Sequence, residues 1–230
     1  MTQDDSANQA AFAKQYYDQY VTRQTDVNRD RTRQRVAEVV RLCGRQRGRL
    51  LSIGAGKLNE PLAFREAGFD VTMIDIASSL MEQARAEGLE AHVVDLEKDA
   101  IPGVYDVVCC MEVLEHLLDP LGALKKAASA VAPGGRLFVS LPDEFNLYAR
   151  LAILLGRPPF SRHDWPHIRF FNLRSARELF AAAGLQIVNE RHMPLVPPRW
   201  RWLAPLGTLL ARCCPRTMSI SHVFELRPNR

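Results

Sequence analysis

Leu50-Leu51-Ser52-Ile53-Gly54-Ala55-Gly56 is an apolar run that ends in two glycines one residue apart. Such a run reads as a buried strand, and EPLAFREAG (60–68) after it reads as a helix closed by Gly68. Glycines at the turn let the backbone pass close to a ligand, and the helix beyond offers free N–H donors. About 20 residues on, DVTMIDI (70–76) forms a second apolar run with Asp75 near its end, the position from which a carboxylate grips a ribose diol. A third glycine on the helix side would suit a dinucleotide pyrophosphate, but Leu58 and Asn59 stand there, which argues against NAD.

The alternation continues outward from this turn. SSLMEQARAEG (78–88) opens with serines that read as helix caps, and EAHVVDL (90–96) and YDVVCCMEV (105–113) read as strands. PLGALKKAASAVA (120–132) is helical and GRLFVSLP (135–142) is a strand. Strands alternating with helices imply right-handed crossovers and a parallel sheet covered on both faces. Upstream, AAFAKQYYDQYVTRQ (10–24) and NRDRTRQRVAEVVRLCG (28–44) read as two helices, with Gly44 as a C-terminal stop. Downstream, the alternation is interrupted twice. Residues 143–173 hold the helix-like LYARLAILLG (147–156) and the Pro- and aromatic-rich RPPFSRHDWPHIRFFN (157–172). The helix RSARELFAAAG (174–184) and strand LQIVNE (185–190) follow, then a second interruption over 192–219 and a last strand, SHVFELR (221–227).

These motifs, in this order, resemble the class I S-adenosylmethionine (SAM) methyltransferases, and most of all the small-molecule branch that includes ubiquinone-type O-methyltransferases. LLSIGAG resembles the first family motif, VTMIDIASSLMEQAR the second, HVVDLE the third, and YDVVCCMEVLEHLLDP with VAPGGRLFVSLP the fourth and fifth. The resemblance runs from about residue 49 to 142 and continues more weakly through FFNLRSARELFAAAGLQIV. It implies an α/β, Rossmann-like sheet of seven strands in the order 3-2-1-4-5-7-6, the last strand antiparallel, with helices on both faces. The whole chain, 1–230, is then one domain: N-terminal helices to residue 44, a SAM-binding core over 45–142, and lid insertions at 143–173 and 192–219. Gly54, Ala55, Gly56, Asp75, Ile76, Asp95, Leu96 and Met111 fall on the cofactor positions, with Asp95 and Leu96 flanking the adenine.

Two residues depart from the family pattern. Ser52 stands where an acid is usual and Leu58 where another glycine is usual, which keeps a non-catalytic binding domain as an alternative. His116 is the leading candidate for a base that takes a proton from a hydroxyl acceptor; packing under the next helix is its other reading. Glu112, Glu115 and His116 have i, i+3, i+4 spacing that suits a divalent metal, and the EVLEH run resembles the metal-binding run of some ubiquinone-pathway and small-RNA 2′-O-methyltransferases. The leading expectation is no metal, with His163 and His167 able to complete such a site if one is used. Asp106 reads as structural, and Asp119 before Pro120 as a helix N-cap.

Tyr17, His163, Trp165 and His167 are candidates for substrate contact, together with Phe145, Tyr148, Phe160, Phe170, Phe171, Trp200 and Trp202 of the interruptions. These aromatics either roof a hydrophobic pocket or simply pack the insertions down. Residues 191–224 carry five arginines and no acid, interleaved with tryptophan and leucine, which points to peripheral membrane contact through 192–219. A net charge of +4 and no recognisable RNA-binding module disfavour nucleic acid. The polar start MTQDDSANQA and the five cysteines, two pairs of them adjacent, point to a cytoplasmic chain with reduced thiols.

Overall fold

The computed structural model describes residues 27–44, 47–157, 167–196 and 198–229. Helix α1 (Val27–Cys43) precedes β1 (Arg49–Ile53), α2 (Asn59–Glu66), β2 (Asp70–Asp75), α3 (Ser78–Ala86) and β3 (Glu90–Val93). Next come β4 (Tyr105–Met111), a 3-10 turn (Leu114–His116), α4 (Pro120–Ser129), β5 (Val131–Pro142) and α5 (Leu147–Leu154). The chain closes with α6 (Leu173–Ala182), β6 (Leu185–Pro194), a 3-10 turn (Pro198–Leu203), α7 (Ala204–Cys213), α8 (Pro215–Met218) and β7 (Ser219–Pro228). The strands form a seven-stranded sheet in the order β3-β2-β1-β4-β5-β7-β6, the order that the resemblance implied. By their contacts the residues fall into two compact units, one reaching to Cys109 and including Ala130–Gly135, the other comprising Cys110–Ser129 and the chain from Arg136 onward.

In the first unit, β1 pairs in parallel with β2, Ile53 opposite Ile74, and β2 pairs in parallel with β3, Thr72 opposite Glu90. Leu50, Leu51, Ser52 and Ile53 are all buried, as a strand covered on both faces requires. Phe64 of α2 is fully buried and meets Phe69 edge-on at 6.0 Å. Helix α1 ends where expected, at Gly44, whose φ of +62° glycine adopts without a Cβ penalty. The serine caps foreseen for α3 are replaced by Ala77, which makes no side-chain cap bond. Its own N–H is taken by the Asp75 carboxylate at 2.9 Å, so the residue that ends β2 also sets the start of α3.

In the second unit, β5 and β6 both pair antiparallel with β7, Pro142 opposite Ser221 and His192 opposite His222. Asn172 caps α6 in a reciprocal capping box with Ser175. Leu173, Ala176 and Phe180 are the buried face of α6, and Phe180 meets Phe224 of β7 at 4.9 Å. Strand β6 runs four residues beyond the predicted LQIVNE because β7 supplies partners as far as Pro194. The first interruption contains α5, capped by Asn146, and the second contains α7 and α8. No disulfide joins the cysteines of the described residues, and no helix among those residues is long and apolar enough to cross a membrane.

The glycine pair before β5's apolar half has a steric cause. Gly134 has φ +77°, and a Cβ on Gly135 would lie 2.8 Å from the backbone oxygen of Asp106 and 2.9 Å from that of Ala132. Backbone atoms cannot yield cheaply at that distance. Gly135→Ala is expected to cost about 1–3 kcal/mol of stability, read as an earlier midpoint in urea denaturation with unchanged slope.

Candidate active site

The turn after β1 is built by backbone constraint. Gly54 and Gly56 have φ of +62° and +60°, conformations that a side chain would strain. Gly54 donates its N–H to Ile74 O at 2.8 Å, which ties the turn to the end of β2. Leu58 caps α2 without a side-chain hydrogen bond, and the turn residues 54–59 are half-buried. Asp75 sits half-buried at the end of β2, and Ile76 follows it.

Ser52 is the departure that the structure explains. It is fully buried in β1, and its hydroxyl donates to the Glu60 carboxylate at 3.0 Å; Glu60 lies in the first turn of α2 and is 3% exposed. An acid missing from the strand is thus present on the helix, eight residues later in sequence and in direct contact with the serine. Sequence reasoning passed over Glu60, although its place in the first helical turn after a glycine loop was a usable signal.

Asp95 follows β3 by two residues. Its Oδ1 accepts from Glu97 N at 3.0 Å and its Oδ2 lies 3.4 Å from Lys98 Nζ, so part of the carboxylate serves a local turn. Leu96 beside it is buried. Asp106 accepts from Arg49 N at 2.9 Å, the structural role foreseen, and Asp119 accepts from Gly122 N at 2.9 Å, the N-cap foreseen.

In the second unit, Met111 is buried and Glu112 turns the chain with a left-handed φ of +57°. That residue breaks the helical spacing on which a convergent Glu112, Glu115 and His116 depended. Glu112 is instead tied to Ser140 of β5, whose hydroxyl donates to its carboxylate at 2.8 Å. Glu115 and His116, on the following 3-10 turn, gather with His167 from the first interruption: one ligand atom from each of the three lies within 4.8 Å of the others. The His116 and His167 rings stand 4.8 Å apart, edge to face. His167 bonds through Nδ1 to the buried Glu144, and its Nε2 lies 3.9 Å from Glu115 Oε1. The backbone oxygen of Glu115 also accepts the N–H groups of Ile168 and Arg169, both at 3.0 Å, which fixes this segment beside the turn.

A second group lies on β6 and β7. His222 is buried, with Nε2 3.0 Å from Asp143 Oδ2 and Nδ1 2.9 Å from His192 Nδ1. Burial, then the neighbouring His222, pushes the His192 imidazole below its ordinary pKa.

Of the substrate candidates, Tyr17, His163 and Trp165 lie outside the described residues, as does Phe160. Phe171 is buried. Phe145, Tyr148, Phe170, Trp200 and Trp202 are exposed, with Trp202 at 77%, so they do not form a small core under the insertions.

With this geometry in hand, comparison with known proteins is specific. The pattern of a family described as a methyltransferase domain matches residues 26–190. A ubiquinone biosynthesis O-methyltransferase of Bordetella avium is 40% identical over 181 residues, covering 71% of this chain and 73% of that protein. One of Neisseria meningitidis is 32% identical over 168 residues, covering 66% and 68%. Among solved structures, a SAM-dependent methyltransferase of Thermotoga maritima, described as a possible histamine N-methyltransferase, aligns with TM-score 0.66 at 15% identity, covering 93% of this chain and 98% of that one. A 1,6-didemethyltoxoflavin-N1-methyltransferase of Burkholderia thailandensis, crystallised with S-adenosylhomocysteine, aligns with TM-score 0.64 at 18% identity over 99% and 90%. At those identities the structural likeness speaks for the fold.

The contact between Ser52 and Glu60 yields a stability test. A hydrogen bond to a buried charged group is worth about 1.5–3 kcal/mol, so Ser52→Ala should lower unfolding stability by that order in chemical denaturation. An unchanged midpoint would mean that the hydroxyl does nothing for the buried acid.

Proposed function

Because this chain belongs to the methyltransferase-domain family, whose pattern spans most of it, we propose that it transfers a methyl group from SAM to an oxygen atom of a small, hydrophobic acceptor. The observation that carries this reading is the left-handed glycine turn held against the end of β2, with Asp75 as the carboxylate there. In this reading the backbone of Gly54, Ala55 and Gly56 lies against the donor, Asp75 accepts from the ribose hydroxyls with Ile76 beside it, and Asp95 and Leu96 border the adenine. The α-ammonium of the donor needs a countercharge. Glu60, buried behind the turn and oriented by Ser52, supplies one where the strand does not.

Methyl transfer from a sulfonium is an in-line displacement in which the donor is already activated. The protein's task is alignment and exclusion of water. His116 takes the proton of the acceptor hydroxyl, and His167, anchored by Glu144, holds the ring beside it. A second reading rests on the same residues. Glu115, His116 and His167 fit a divalent cation in donor type and spacing, and the carboxylate on His167 Nδ1 is the usual outer support of a ligating imidazole. Such a cation would lower the pKa of the acceptor hydroxyl.

Named relatives are ubiquinone biosynthesis O-methyltransferases, and a polyprenylated phenol or catechol is the acceptor class that we carry over to this chain. Two features support a greasy acceptor delivered from a membrane surface. On α5 and just after it, Tyr148, Leu151, Ile153, Leu154 and Leu155 are exposed, Leu154 at 80%. Trp200, Trp202, Leu206, Leu209 and Leu210 are exposed on the second interruption, which also carries Arg212 and Arg216. Arg150 of α5 donates to Arg216 O at 3.3 Å, which joins the two segments. Apolar groups flanked by arginine suit an anionic lipid interface.

Incubation of the enzyme with methyl-labelled SAM and phenolic acceptors should give labelled product by mass spectrometry. Asp75→Ala and Glu60→Gln are expected to weaken SAM binding about tenfold or more in calorimetry, the loss of one charge-assisted contact. His116→Ala should lower kcat with little change in SAM affinity. Loss of activity on chelation, restored by added divalent cation, would favour the second reading over the first.

Liposome flotation checks the surface. The chain should float with anionic vesicles, and replacing Trp202 and Leu154 by serine should abolish flotation while leaving SAM binding intact. A protein that stays at the bottom of the gradient with anionic lipid refutes the membrane contact.

A further inference from the structure

We propose that Glu190, His192 and His222 form a binding site for a zinc-class divalent cation, separate from every residue assigned to methyl transfer. The site follows from strand geometry. Residues two apart on a strand share a face, so Glu190 and His192 of β6 project together, and His222 is the direct cross-strand partner of His192 on β7. One ligand atom from each of the three lies within 4.8 Å of the other two. The His192 and His222 Nδ1 atoms are 2.9 Å apart, and Glu190 Oε1 is 3.8 Å from His192 Nδ1. A cation about 2.0–2.1 Å from each donor fits spacings of this size with small side-chain rotations.

The surroundings prepare these atoms as ligands. Asp143 is wholly buried, and its Oδ2 takes the Nε2–H of His222 at 3.0 Å. That assigns the proton of a neutral His222 to Nε2 and leaves a lone pair on Nδ1, the tautomer and support characteristic of a ligating histidine. Asp143 is itself held in place, because its other oxygen accepts from Phe145 N at 2.9 Å. Burial, then the neighbouring His222, lowers the basicity of the His192 imidazole. Without a cation, its Nδ1–H donates to His222; on ligation that proton moves to the Nε2 of the same ring, so the imidazole stays neutral. Glu190 has a division of labour between its oxygens. Oε2 accepts from Arg177 at 2.8 Å, while Oε1 is buried without a hydrogen-bond partner.

Two imidazoles and one carboxylate oxygen select a borderline cation such as Zn2+ or Co2+ over Mg2+ or Ca2+, which prefer all-oxygen shells. Arg177 and Arg191 are the positive neighbours that oppose the cation. They temper its affinity, and Arg177 restricts Glu190 to one ligating oxygen. His192 and Glu190 side chains keep 15% and 17% of their exposure, which leaves a route for the ion from solvent.

The test uses the untagged full chain, stripped by chelator and titrated with Co2+. One equivalent should bind with visible d–d bands and no near-ultraviolet thiolate band, the signature that binding at the exposed Cys213 and Cys214 would add. His192→Ala, its fold checked by circular dichroism, should weaken Co2+ binding at least tenfold, and Glu190→Gln should weaken it as well. His167→Ala should leave it unchanged. Asp143→Asn should lower affinity about 10–100-fold, as loss of an outer support does, with its fold checked by circular dichroism. No binding by the wild-type chain, binding that His167→Ala abolishes, or binding indifferent to His192→Ala would each overturn the proposal. These outcomes do not depend on methyl transfer, since the readout is a spectrum of the resting protein.

Discussion

Two adjacent carboxylates, Asp143 and Glu144, follow β5 and are almost completely buried, and the second unit is organised around their need for partners. A buried charge is tolerated only when paired and hydrogen-bonded. Asp143 holds His222 of β7, and Glu144 holds His167 from the segment before α6. The backbone repeats the division: Asp143 N donates to Ile220 O and Glu144 N donates to Phe171 O. From one strand end, two histidines are therefore fixed in orientation and each reaches a different cluster. Either carboxylate without its histidine would leave a costly unpaired charge in the interior.

The first unit meets a different constraint, one of backbone space. The turn at Gly54–Gly56 must bend in the left-handed region while remaining bonded to Ile74. Asp75 is then committed locally as well, because it holds the N–H of Ala77 and so sets where α3 begins. A carboxylate tied by one oxygen to a helix start is held in a fixed direction. Ser52 and Glu60 extend the same logic inward: a neutral hydroxyl on the strand steadies a buried acid on the helix.

The exposed apolar residues of α5 and of the second interruption stand apart from both schemes. A helix whose only buried residue is Ala149 gains little from burial in the folded chain. Its exposed leucines and isoleucine, with arginine nearby, are the surface on which the proposed contact with an anionic membrane rests.

Much of this was legible in the residues alone. The alternation of apolar runs with helical runs, punctuated by Gly54, Gly56, Gly68 and Gly88, determined an α/β sheet, because strand and helix periods cannot be exchanged without exposing the core. The place of Asp75 at a strand end and the N-cap at Asp119 before a proline were equally readable, since both depend on residues within a few positions. What only the tertiary structure decided is everything that rests on long separation or on one unusual backbone angle. The left-handed Glu112 dissolved a metal face that regular helical spacing implied, and His167 came to Glu115 and His116 across some fifty residues of chain. Ser52 found Glu60, and His192 met His222, because sheet register and helix placement brought them together. Local pattern reports the conformation of a segment; which side chains share a buried space is settled only when distant segments pack, and it is there that charge, proton and ligand are assigned.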